Sequence, residues 1–264
     1  MISKIKYVVL IFLWVFVYAC SADYDEAYID SQIVVDGVLF PDEKPVIRLV
    51  QLADINDNVQ LPVVDAIVSI YSNNQKYNLE LSDKNIGEYS YEGTDLQIST
   101  GNYYSLEIEY FGNMIFAETI IPYPPENIEL ELYEYEDSLL VDTVSFINIE
   151  WDHSGDAYFY TILHCDSLNP LADNYCYYHI NDEFPCYENY QFIDTAGLIN
   201  ENIYTVTVFS MTEEYAMYYY SYEPAGSDFG YSGNVENAYG IFTGLSSTSV
   251  VFQYFTDSLS IIGE

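Results

Sequence analysis

Lysine and arginine are almost missing from this 264-residue chain, six in all against 42 aspartates and glutamates, for a formal charge of −36. The shortage is lopsided. Lys4 and Lys6 sit at the start, Lys44, Arg48, Lys76 and Lys84 follow, and from Asn85 to Glu264 there is none. Nucleic-acid binding by phosphate neutralisation is thereby excluded, because it needs clustered basic residues. The carboxylates of the later chain must stay solvated, accept hydrogen bonds from backbone N–H, Tyr or Asn groups, or recruit cations from solution. Their hard oxygen ligands suit Ca²⁺, the one cofactor the composition suggests.

Histidine is scarce too, with only His153, His164 and His179. No His-Glu-x-x-His, phosphate-binding loop or dinucleotide fingerprint occurs, and Gly230-Tyr231-Ser232-Gly233 lacks nucleophile-elbow spacing. So many acids always offer pairs, but none is singled out for glycosidase chemistry. The reading is therefore of a protein that is not an enzyme. What the chain does have is apolar bulk: 50% hydrophobic residues, 17% aromatic, and 30 tyrosines. Enough surface can be buried to offset the entropy of ordering, so the acidity is not that of a disordered tail.

The only long apolar run lies at the start. Lys4 and Lys6 precede an unbroken stretch from Tyr7 to Ala19 that is too short to cross about 30 Å of hydrocarbon comfortably, so residues 1–19 read as a signal peptide. Val17-Tyr18-Ala19-Cys20 resembles a lipobox, with bulky Tyr18 where small residues are usual, and makes Cys20 the lipid-attachment site. Ordinary cleavage just beyond it, behind Ala22, is the alternative. Several acyl chains on Cys20 hold a protein stably to a membrane. Residues 20–31, with Asp23, Asp25 and Glu26, resemble the acidic tether of outward-facing outer-membrane lipoproteins of the Bacteroidota.

From Gln32 onward the hydrophobic period is two. Residues 32–39, 45–50, 66–71, 77–81, 103–109 and 114–120 read as strands, separated by turn signals such as Ser72-Asn73-Asn74, Thr100-Gly101-Asn102 and Phe111-Gly112-Asn113. They predict an antiparallel sandwich over 32–121. Pro122, Pro124 and Pro125 mark a linker over 122–127. A second set follows at 128–132, 146–151, 158–163, 204–209 and 249–255. With Trp151 closing an early strand, and Leu198 and Tyr204 spaced like a tyrosine corner, residues 128–264 resemble a fibronectin type III sandwich carrying a cysteine-containing insertion. Asn200 stands where that fold often has proline. The fold class is thus all-β, two immunoglobulin-like or fibronectin-like sandwiches. The second has one short helix, begun by a capping box at Ser210-Met211-Thr212-Glu213, with Tyr215, Tyr218, Tyr219 and Tyr222 on one packing face.

Once Cys20 is lipidated, Cys165, Cys176 and Cys186 remain, enough for one disulfide in any of three pairings plus an odd thiol. Free thiols are one alternative. Another is a zinc or copper site from His164, Cys176 and His179, a weak signal because Cys-x-x-His is a single half-site. Asp54-Ile55-Asn56-Asp57-Asn58 offers Ca²⁺-loop ligands but has Val59 where such a loop needs glycine, which favours a solvated loop. Asp-Ser/Thr-apolar triplets begin at Asp137, Asp142, Asp166, Asp194 and Asp257 and are similar to O-glycosylation acceptors.

Several segments, in order, resemble the Bacteroidota lipoproteins grouped as domain-of-unknown-function family 4249. These are Ile33-Val34-Val35-Asp36-Gly37, Val64-Asp65-Ala66-Ile67-Val68, Gly87-Glu88-Tyr89, Gly101-Asn102-Tyr103-Tyr104, Ile121-Pro122 and the run from Gly233 to Phe242. The resemblance implies a surface accessory role beside a TonB-dependent outer-membrane transporter and supplies no catalytic residues. The expected function is non-catalytic binding at the cell surface, with a glycan or peptide ligand suited to the aromatic content. An adhesion module and a surface-polymer hydrolase are the alternatives. Millimolar CaCl₂ separates specific Ca²⁺ sites from a merely solvated acidic surface. Sites raise the melting temperature well beyond NaCl of matched ionic strength, and identical curves reject them.

Overall fold

The structure is a computed structural model that describes residues 33–52, 60–137, 142–166, 177–179, 186–221 and 233–262. The first group of strands is β1 (Ile33–Leu39), β2 (Val46–Leu52), β3 (Gln60–Pro62), β4 (Ile67–Ser72), β5 (Gln75–Leu81), β6 (Glu88–Ser90), β7 (Tyr103–Tyr110) and β8 (Asn113–Ile120). The second is β9 (Glu126–Asp137), β10 (Asp142–Asp152), β11 (Tyr158–Asp166), β12 (Tyr177–His179), β13 (Tyr190–Asp194), β14 (Ile203–Met211), β15 (Tyr239–Phe255) and β16 (Ser258–Ile261), with helix α1 (Glu213–Ser221) between β14 and β15.

Alternation makes the strands. In β7, Tyr104, Leu106, Ile108 and Tyr110 are buried while Tyr103, Ser105, Glu107 and Glu109 face outward or sit at half depth. The β4–β5 hairpin turns on Asn73 and Asn74, both at positive φ (51° and 62°), the conformation a two-residue turn demands and asparagine tolerates. Ladder pairing runs β15-β1-β2-β6-β5-β4-β7-β8, with β5 passing from one layer to the other, and the two layers enclose a core that includes Val35, Ile47, Leu49, Tyr89 and Leu106. Beyond the linker, β13-β10-β9 faces β12-β11-β14-β15 across Ile147, Ile149, Trp151, Phe159, Val206 and Phe252. With β16 paired to the free edge of β15, this is a three-on-five immunoglobulin-like sandwich.

A split of the chain into 32–121 and 128–264 does not describe this arrangement. Strand β15 serves both sandwiches. Tyr239 to Gly244 pair parallel with Val34 to Leu39 of β1, and from Leu245 to Gln253 the same strand pairs antiparallel with β14. Val235 and Phe242 belong to the first core. Ahead of β15, the Asn234 amide donates to Phe242 O (2.8 Å) and Glu118 O (3.1 Å) and accepts from Phe242 N–H (2.9 Å), while Asn237 donates to Met114 O (2.9 Å). Gly240 lies at φ 105°, and a Cβ there would stand 1.9 Å from Val35 O. The segment running from Gly233 is therefore a clasp over β8 and β1, which accounts physically for its residue pattern.

At the join, Met211, Ala216 and Leu245 pack with Val38 and Phe40 from the first sandwich and Tyr158, Tyr160, Phe209 and Tyr215 from the second. Helix α1 starts two residues later than its sequence signal. Strand β14 continues through Ser210, which pairs with Ser246, so Ser210 is not a cap. Instead the Thr212 hydroxyl accepts from Tyr215 N–H (3.3 Å) and pairs with Thr243 (3.1 Å). Tyr215 packs into the join and Tyr219 meets Tyr160, so the tyrosine stripe is a packing face, with Tyr222 outside the described residues.

Both sandwiches contain the same corner. Tyr204, buried, accepts Ile199 N–H at 2.7 Å, and Tyr104 accepts Ser99 N–H at 2.8 Å and donates to Gln97 O. The flanking bonds repeat as well: Gly101 N–H to Ile121 O and Ile121 N–H to Asn102 O in one, Glu201 N–H to Tyr254 O and Tyr254 N–H to Asn202 O in the other. Each phenol thus satisfies a backbone group that strand pairing leaves over. Tyr104→Phe and Tyr204→Phe are each expected to cost about 1–3 kcal/mol, measured by denaturant unfolding. An unchanged midpoint in either variant contradicts the corner's role.

Candidate functional site

Cys20, Cys176 and the loop 54–58 lie outside the described residues. Cys165 is buried at one end of β11, where its Sγ accepts from the Asn202 amide at 2.8 Å. Cys186 exchanges both backbone hydrogen bonds with Phe159 at the other end of that strand. The two ends are roughly 20 Å apart at strand rise, well beyond disulfide reach, so geometry removes the Cys165–Cys186 pairing from the three. His164 stands on β11 opposite Tyr177, whereas His179 stands opposite Ile162. Among the described residues no group of three His, Cys, Asp or Glu side chains is placed to hold a metal.

The hydroxyl triplets separate by accessibility. Thr195 is buried and donates to Ser145 O at 2.8 Å, so it is not open to modification in the folded chain. Ser258, exposed just past the β15–β16 turn, is open.

Sequence reasoning missed an aromatic surface on the second sandwich. Ile147, Ile149 and Trp151 turn into the second core, which puts Phe146, Asn148 and Glu150 on the outer face of β9-β10-β13. Register sets Tyr133 against Phe146, Phe192 and Glu131 against Asn148, and Tyr190 and Glu129 against Glu150. Tyr133 (41%), Tyr190 (45%) and Phe192 (51%) are well exposed. The ring of Phe146 lies 5.7 Å from Tyr133, nearly parallel, and 5.3 Å from Phe192, edge-on; Tyr190 is 5.6 Å from Phe192. The Tyr133 hydroxyl donates to Glu131 at 2.7 Å, and that carboxylate holds the phenol above its usual range. Asn148 is 93% hidden beneath this layer; its amide N–H donates to Glu150 at 2.6 Å while its Oδ1 has no partner among the described residues.

An open cleft of about 550 Å³ lies where the sandwiches meet, between Phe40, Asp42, Ile98, Pro124, Ser246 and Ser247. Thr248 donates to Pro125 O at 2.5 Å, and Ser246, one pleat back on the same face, keeps a buried hydroxyl without a partner among the described residues.

The model of a family described as Domain of unknown function (DUF4249) matches residues 20–250. No curated protein matches the chain. Among solved structures it is similar to the FN1–FN3 domains of chicken CNTN1, at 11% identity and TM-score 0.31 over 68% of this chain and 58% of that one. It is also similar to a DUF4785 family protein from Legionella pneumophila, at 11% identity and TM-score 0.24 over 67% and 52%. The chain thus spans little more than half the length of either.

The tyrosines give this surface and the join a pH signature. Burial, then the Tyr219 hydroxyl, push the Tyr160 phenol far up, and burial, then Asp36, push Tyr215 up. A folded-state pKa above the unfolded value of about 10 means that the stability is fully present below pH 10 and lost as pH rises through the raised values. Melting temperature is expected to hold to about pH 9.5 and fall above it, with some phenols ionising at 295 nm only as β-structure is lost. A single titrating class near pH 10 with unchanged melting contradicts this.

Proposed function

The chain belongs to the DUF4249 family, and from that premise we propose that it is a lipid-anchored, outward-facing outer-membrane protein. In this reading it is a non-catalytic binding component of a TonB-dependent transport system. The family match opens at Cys20, directly behind the basic residues and apolar run that read as a signal peptide. Strand direction supports the same reading. The chain enters β1 at the end of the first sandwich remote from the second, and β15 runs in the same direction before continuing into the second sandwich. In this reading the second sandwich extends from the end of the first that is remote from the start of β1. The exposed rings of Tyr133, Tyr190 and Phe192, with half-buried Phe146 beside them, are the observation that carries a binding role, because amphipathic rings give contact area at low entropy cost.

Radiolabelled palmitate tests the anchor. The intact chain incorporates label, fractionates with outer membranes and co-purifies with a large barrel protein, and Cys20→Ser loses all three. An unlabelled mature protein beginning downstream of Cys20, or a soluble monomer, contradicts the proposal.

A further inference from the structure

We propose that the outer face of β9-β10-β13 docks an arginine-rich segment of a partner protein; this names the ligand chemistry of the binding role above and rests on it. The argument is one of supply and demand. The polar side chains opposed across this face are Glu129, Glu131, Asn148 and Glu150. Two donors of this face are already used, the Tyr133 O–H on Glu131 and one Asn148 N–H on Glu150. What remains is mostly acceptor: carboxylate oxygens, the Asn148 Oδ1, which has no partner among the described residues, and ring faces, with the Tyr190 hydroxyl beside them. Glu129 and Glu150 stand directly opposite each other, a like-charge pair that disfavours the sheet unless a cation lies over it. With no lysine or arginine after Lys84, the rest of the chain supplies none.

A guanidinium meets these demands together. It carries five N–H donors and no acceptor, stays charged, and lies flat on aromatic rings. A sugar brings as many acceptors as donors and finds no lysine or arginine here. The first sandwich shows the motif completed internally. There Lys76 Nζ lies 2.8 Å from Glu107 and 5.3 Å from the centre of the Tyr71 ring, while the Tyr71 hydroxyl donates to the same carboxylate at 3.0 Å. The second sandwich has rings and carboxylates in that relation without the cation. The negative field of the surrounding chain draws a basic segment to the face and repels acidic ones.

Calorimetric titration of the intact chain with an arginine-rich decapeptide, its lysine twin and a neutral hexasaccharide tests this. The arginine peptide is expected to bind about tenfold more tightly than the lysine twin and to weaken about tenfold between 50 and 500 mM NaCl. Phe192→Ala and Glu150→Gln, both at solvent-facing positions that leave the fold intact, each weaken it about fivefold or more, and Glu236→Gln on the first sandwich leaves it within about twofold. Equal affinity for both peptides, indifferent to Phe192→Ala, overturns the proposal in favour of diffuse charge attraction. Hexasaccharide binding lost in Phe192→Ala overturns it in favour of a glycan site, and absence of any binding overturns it outright. None of these outcomes touches palmitate incorporation at Cys20, so the anchor stands or falls separately.

Discussion

Among the described strand pairs, β1 with β15 is parallel and every other is antiparallel. Parallel pairing is slightly the weaker per residue, so its use here needs a reason, and the reason is direction. A strand that closes the first sandwich and then opens into the second must leave the first in the sense that β1 travels. The clasp ahead of it, through Asn234 and Asn237, fixes its register against β8, and Gly240 lets its backbone pass Val35 at a distance no Cβ would allow. Phe242 then fills the first core and Phe252 the second. Neither core is complete without one continuous strand, and the aromatic face is held in place relative to the chain's entry by the same strand.

Most of this architecture was legible in the sequence wherever one face of a strand is wet. The period of two located β1, β2, β4, β5, β7 and β8 to within a few residues, and β9, β10, β11 and β14 by their central runs. It failed on β15, whose second half alone was read. Residues 240–246 are buried on both faces, lying between β1, β8 and the join, so alternation vanishes, and Gly240, Gly244 and Ser246 interrupt the apolar run. The three-residue strands β3, β6 and β12 are too short to show a period. Leu198 and Tyr204 announced the second tyrosine corner. The first has the same six-residue spacing from Ile98 to Tyr104 and hid behind the stronger turn signal of Gly101. Thr212 displaced Ser210 as the helix cap because strand pairing, a tertiary matter, claimed Ser210 first.

The aromatic face was not legible, and its invisibility has a physical cause. Tyr133, Phe146, Tyr190 and Phe192 come from three strands, and each is outward only because its neighbours, such as Ile147 and Ile193, turn in. In the sequence an outward phenylalanine beside an inward isoleucine reads simply as core. The charge asymmetry was plain from the start, by contrast. The structure gives it a location: all four basic residues among those described lie in the first sandwich, where Lys44 pairs with Glu92 and Lys76 with Glu107, leaving the second to accept positive charge only from outside.

Native-state hydrogen exchange read by mass spectrometry tests most directly the claim that one strand completes both cores. The slowest amides of β1 and β2 and those of β14 are predicted to open with the same free energy and the same denaturant slope, because loss of β15 unmakes both sandwiches together. Two classes, with one sandwich still protected after the other has exchanged, would contradict it.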